Sequence, residues 1–138
     1  MNTIVIFYSY SGNTAKYAEE LAKTESADIY EVKDQKPLGK FKAYTAGCFK
    51  AMTHGTFPIT PIAIDFGKYD KFIVCAPIWA GSPAPQINNV FDLLPQGSDI
   101  ELHMISGSGE SSKDKICEWL KGKGLNITKY IDKKSKEI

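Results

Sequence analysis

Residues 9–14, Ser9-Tyr10-Ser11-Gly12-Asn13-Thr14, gather hydroxyls, an amide and a glycine into one short stretch. Upstream lies an apolar run from Thr3 to Phe7; downstream, Tyr17 and Leu21 recur at helical spacing. A strand, a tight turn and a helix start together make a seat for an anion. The first N–H groups of a helix lack partners, and the macrodipole is positive there. Serine, threonine and asparagine side chains add donors of the right length for phosphate oxygens. Gly12 lets the backbone come close where a Cβ would obstruct. A plainer use is equally open: Ser11 or Asn13 caps the helix and binds nothing.

The elements that position this turn follow from apolar spacing. Thr3–Phe7 and residues 71–76 are β-branched and apolar without alternation, which predicts central strands buried on both faces. Residues 28–32 alternate and predict a strand at a sheet edge. Phe41, Tyr44, Cys48, Phe49 and Met52 fall at helical spacing and predict a helix near residues 40–53, weakened by Gly47. Residues 54–61 form a loop in which His54 reads as an exposed structural residue. Cys75 reads as a small core residue. Residues 77–85, Pro77-Ile78-Trp79-Ala80-Gly81-Ser82-Pro83-Ala84-Pro85, read as a second loop because of their Gly and Pro content.

Ile87, Val90, Phe91 and Leu94 then mark an amphipathic helix, stopped by Pro95. A strand over residues 100–105 leads into a third turn, Ser106-Gly107-Ser108-Gly109-Glu110. A helix over residues 112–123 and a strand over residues 125–131 complete the pattern, and Lys129 to Ile138 reads as a solvated tail. Strand and helix alternate five times with the last helix absent, which predicts one α/β domain with a parallel sheet and right-handed crossovers. All three Gly/Ser-rich turns follow strands, so all lie at the carboxyl edge of one sheet, where open α/β sheets bind ligands.

Composition narrows the partners. The chain has 138 residues, 24% of them charged, and a net charge of +1. Every basic residue is Lys, so the bidentate donor best suited to bases is missing, and no basic patch with interleaved aromatics stands out. Nucleic-acid binding is not expected. No apolar run approaches the ~20 residues that span a bilayer. Cys48, Cys75 and Cys117 are widely spaced with no Cys-x-x-Cys pair, which argues against a zinc site or a disulfide framework and for a reducing, cytoplasmic setting.

These residues resemble the flavodoxin family over nearly the whole chain, Thr3 to Ile131. Ser9-Tyr10-Ser11-Gly12-Asn13-Thr14 is similar to the family's phosphate loop for FMN. Pro77-Ile78-Trp79-Ala80-Gly81 is similar to its second loop, where an aromatic lies against the flavin, and Gly107-Ser108-Gly109 falls where a third loop closes from the other side. The resemblance implies an open five-stranded parallel sheet of order 2-1-3-4-5 with helices on both faces. It implies FMN as cofactor, no metal and no catalytic side chain. An isoalloxazine needs stacking surface and backbone donors; Trp79 offers the first, and the peptide groups of Ala80, Gly81, Ser108 and Gly109 the second. Gly81 is further expected to let a peptide reorient when the flavin is reduced.

The chain departs from the family's pattern in two ways. Electron-carrying flavodoxins tend to be acidic around the flavin, whereas here only Glu110 is acidic near the three turns, which implies a less strongly reducing flavin. The missing last helix leaves one sheet face thinly covered, and Glu101 and His103 alternate with apolar residues as if that face saw water. A second copy burying that face is the expectation this raises.

The leading expectation is an electron carrier between redox partner proteins. An FMN-dependent NAD(P)H:quinone-type reductase is the alternative, disfavoured by the lack of a Gly-x-Gly-x-x-Gly turn and of Arg for a 2′-phosphate. A degenerate fold acting as a binding module without flavin is the alternative of another class. A receiver domain would need acids at the end of the first strand, and a low-molecular-weight phosphatase a Cys and an Arg in the first loop; neither is present.

Overall fold

A computed structural model describes residues 2–107 and 110–138 of the chain. The two unalternating apolar runs lie inside its sheet. β1 (Thr3–Phe7) is flanked by β2 (Asp28–Glu31) and β3 (Lys71–Trp79), and the order continues through β5 (Asp99–Ser106) to β6 (Asn126–Lys134). These five strands are parallel, in the order β2-β1-β3-β5-β6, as expected. In register, Val5 faces Ile29 on one side and Ile73 on the other.

Period-two alternation splits the buried side chains between two layers. Ile4, Ile6, Phe72, Val74, Leu102 and Met104 pack on one face, against α3 (Pro85–Leu93) and α4 (Lys113–Gly122). Val5, Phe7, Ile73 and Cys75 pack on the other, against Ala18 and Ala22 of α1 (Asn13–Glu25). Cys75 is fully buried, and burial pushes its thiol well above the ordinary range, which suits an inert core residue.

Five expectations need correction. Pro77, Ile78 and Trp79 are not loop: β3 runs on to Trp79, then folds back through a two-residue turn into β4 (Ser82–Pro83), pairing Trp79 with Ser82. Residues 129–134 are not tail but the second half of β6, followed by a 3-10 turn at Ser135–Glu137. Pairing with β5 as far as Ser106–Lys134 draws that lysine-rich segment into the sheet.

The third correction concerns α2 (residues 40–52), which is helical throughout but takes the wider π form at Ala43–Gly47. Its buried residues are Ala43, Gly47 and Ala51, whereas Phe41, Tyr44, Phe49 and Met52 are exposed. Close approach selects small residues: a Cβ on Gly47 would stand 2.8 Å from Cζ3 of Trp79.

Fourth, Glu101 and His103 do not see water. Lys71 Nζ lies 2.9 Å from one Glu101 oxygen, His103 Nε2 lies 3.1 Å from the other, and Tyr17 Oη lies 2.6 Å from His103 Nδ1. This chain of polar partners fills the thinly covered face, so both groups are buried. Finally, His54 is not an exposed loop residue; its ring stacks on Trp119 with centroids 4.0 Å apart.

Candidate functional site

The start of α1 is set by Gly12, which holds the N-cap position at φ +100°. No side chain caps this helix, so the capping role open to Ser11 and Asn13 is not the one they take. Instead the Gly12 N–H donates to Ser9 Oγ at 3.1 Å, which curls the turn on itself. Nothing lies within 4 Å of where a Gly12 Cβ would stand. Ser11, Gly12 and Asn13 are exposed and Thr14 is buried beneath them. A helix start with uncapped N–H groups, hydroxyls around it and open space above fits a phosphate.

The second turn sits beside the first. Ala80 and Gly81 both have positive φ, +52° and +82°. That pair of left-handed residues is the mark of a type I′ hairpin turn, whose twist matches the strands it joins. The turn presents Trp79, whose indole has Tyr8 edge-on at 6.2 Å and Tyr10 edge-on at 5.8 Å. Tyr10 is 38% exposed and its hydroxyl donates to the Leu38 carbonyl at 3.0 Å, so it bridges the first turn to the approach of α2. The Tyr8 hydroxyl donates to Asp34 Oδ2 at 2.6 Å, and Gln86 donates to the other oxygen at 2.9 Å. Burial, reinforced by Asp34, pushes the Tyr8 phenol far above its ordinary value, so it remains a donor.

The third turn joins from the far side. Ser112 N–H donates to the Gly81 carbonyl at 2.8 Å, and a Cβ on Gly81 would meet Ser112 Oγ at 2.9 Å. Ser111 Oγ bonds Asp132 Oδ1 at 2.5 Å and also the Tyr130 hydroxyl, tying this turn to β6. Gly107 is exposed at the end of β5. Ser108 and Gly109, the remaining candidates of this turn, lie outside the described residues.

The fold therefore brings Ser9–Thr14 and Pro77–Gly81 together, with Gly107 at the same carboxyl edge. Gly47, Ser112 and the Tyr8–Asp34–Gln86 group escaped the sequence reading. A glycine inside a stretch of helical spacing was the available signal for the first; the other contacts span 26 residues or more of chain and leave no local trace.

The family model described as Flavodoxin matches residues 2–135. The chain belongs to the flavodoxin family. Among solved structures it is similar to a flavoprotein in complex with FMN from Lactobacillus acidophilus NCFM, at 25% identity and TM-score 0.79, covering 95% of this chain and 92% of that one. It shares its fold with oxidised flavodoxin 1 from Bacillus cereus, at 18% identity and TM-score 0.57, covering 97% and 84%. It also shares its fold with general stress protein 14 in complex with FMN from Treponema denticola, at 10% identity and TM-score 0.60, covering 97% and 86%. A comparison with curated proteins returned no match. Among the described residues no helix is long and apolar enough to cross a membrane, and no cluster of His, Cys, Asp and Glu could hold a metal ion.

Proposed function

We propose that the chain binds FMN at the carboxyl edge of its sheet and serves as an electron carrier between redox partner proteins. The observation that carries this is the uncapped, open start of α1 standing one aromatic contact, Tyr10 to Trp79, from a second turn at the same edge. Ser9, Ser11, Asn13 and Thr14 hold the phosphate, with Gly12 admitting it to the backbone. Tyr10 and Trp79 wall the ring, with Pro77 and Ile78 behind. Peptide groups of Ala80, Gly81, Gly107, Ser108 and Gly109 address its polar rim.

Bound flavin supplies the electron chemistry, and no side chain has to act as acid or base. The reorienting peptide expected at this turn is the one joining Ala80 to Gly81, because the Gly81 carbonyl already accepts from Ser112. The carrier role is favoured over a dedicated NAD(P)H reductase by the absence of a second Gly-rich phosphate turn and of any Arg.

Titration of apoprotein into FMN, followed by flavin fluorescence, is expected to give one-to-one quenching. Stopped-flow mixing of the loaded protein with NADH or NADPH is expected to bleach it only slowly. Rapid bleaching by either nucleotide would assign the reductase role, and unquenched flavin would end the reading altogether.

A further inference from the structure

Four of the largest exposed apolar side chains belong to α2: Phe41 at 82%, Tyr44 at 79%, Phe49 at 64% and Met52 at 51%. The helix cannot turn them inward. Its inner line is Ala43, Gly47 and Ala51, and even a methyl group at Gly47 would press on Trp79. An apolar strip of this kind, held outward by packing on the other side, marks an interaction surface.

Charge says what meets it. From Gln35 to Ile64 the chain carries Lys36, Lys40, Lys42 and Lys50 and no acid, while the rest of the chain carries an excess of acids. All four lysines are exposed, and none takes part in an ion pair among the described residues. A second copy docked two-fold on this strip would set lysine against lysine with nothing to neutralise them. An acidic surface would be drawn to it.

Position gives the partner's kind. Gly47 abuts Trp79, and Tyr10 reaches from the phosphate turn to Leu38, one residue before α2's N-cap glycine. α2 therefore flanks the candidate flavin site and carries the strip on its outer side. A lipid surface seated there would close that site to a water-borne electron donor. A protein docked there would bring its own redox centre to the edge, and a strip of four side chains suits the small interfaces of transient redox encounters.

We propose that α2 is the docking surface for an acidic electron-transfer protein, with Phe41, Tyr44, Phe49 and Met52 at the centre of the contact and the lysines around its rim. The partner's class rests on the reading of the neighbouring edge as a flavin site; the docking itself is measured without flavin chemistry.

The test is calorimetric titration of the full chain with a strongly acidic [2Fe–2S] ferredoxin as probe. Binding at low ionic strength is expected, weakened at least about tenfold in about 1 M salt, where charges are screened beyond about 3 Å. The K40E/K42E and F41S/F49S variants are each expected to lose about tenfold or more at low salt. No binding by the natural chain, equal binding by K40E/K42E, or equal binding of basic cytochrome c overturns the proposal. Sedimentation of the natural chain with phosphatidylserine vesicles, lost in F41S/F49S, overturns it in favour of a membrane. Self-association lost in the same variant overturns it in favour of a second copy. FMN titration of the same samples separates the two readings: docking without FMN binding fails the flavin assignment, and FMN binding without docking fails this one.

Discussion

At the scale of single residues, Gly47 decides more than its size suggests. Alanine in a helix interior normally gains up to about 1 kcal/mol over glycine. Here its Cβ would stand 2.8 Å from Cζ3 and 3.0 Å from Cε3 of Trp79. The indole has little room to yield, since Tyr8 and Tyr10 stand edge-on to it. Overpacking of this kind costs about 1–3 kcal/mol, so the two effects leave Gly47→Ala destabilised by roughly 0–2 kcal/mol, visible as a lower urea midpoint with an unchanged slope. The displaced indole should also weaken FMN binding, which separates this substitution from a merely structural one. Trp79→Ala is expected to weaken FMN about tenfold by removing the ring wall, and Thr14→Ala to weaken it through the phosphate. Equilibrium titration of both variants checks the assignment: affinities unchanged in both would remove ring and phosphate alike from this edge.

At the scale of elements, the buried chain Tyr17–His103–Glu101–Lys71 links α1 to β5 and β3 and gives the fold a pH dependence. One neutral tautomer of His103 serves both neighbours, accepting from Tyr17 at Nδ1 and donating to Glu101 from Nε2. Burial holds that imidazole below its ordinary value of about 6.5, against the pull of Glu101, while burial pushes the Tyr17 phenol up to about 12 so that it keeps its proton. Burial also pushes the Glu101 carboxyl up, but Lys71 and His103 together hold it below the usual range. The stability from His103 is whole above about pH 6.5 and is lost as pH falls through and below that value, because the unfolded chain takes up the proton first. The share from Glu101 is lost only further down, as its own folded pKa is approached. Thermal melts from pH 7 to pH 5 should therefore show a falling midpoint, and His103→Gln should flatten that slope while lowering stability at pH 7 by about 1–3 kcal/mol. An equal slope in the variant would place the titrating group elsewhere. The two central strands, the edge strand and the glycine turn before α1 were legible in sequence, because each rests on local pattern: apolar runs, alternation, Gly and Ser between a strand and a helix start; the strand order followed from the family resemblance. What escaped was decided by contacts remote in sequence. Phe41 and Tyr44 have the spacing of a core stripe, yet the helix buries Ala43 and Gly47 instead, and Trp79 leaves no room for a Cβ at position 47. Glu101 and His103 alternate as on a wet face, yet Lys71 and Tyr17 reach over them. Pro77 argues for loop, yet its place opposite Ile105 keeps it in β3.

At the scale of the whole molecule, charge is the feature that sets this chain apart from the acidic surroundings expected of a flavodoxin-like carrier. A near-neutral total hides a basic segment, Lys36 to Lys50, on and just before the helix that packs against Trp79, while Asp34 is engaged by Tyr8 and Gln86. Reduced flavin carries more negative charge than oxidised flavin, so nearby cations favour the reduced form and raise the potential. The lysines are exposed and screened, which limits each to a fraction of a kcal/mol. Reversing two of them in K40E/K42E changes four units of charge, and a combined effect on the order of 1 kcal/mol, about 40 mV for a one-electron couple, follows. The variant's midpoint potential, measured by spectroelectrochemical titration at low salt, should therefore lie below that of the natural chain, and the gap should shrink as salt is added. A potential that stays put, or a gap indifferent to salt, would mean that these charges do not face the bound ring.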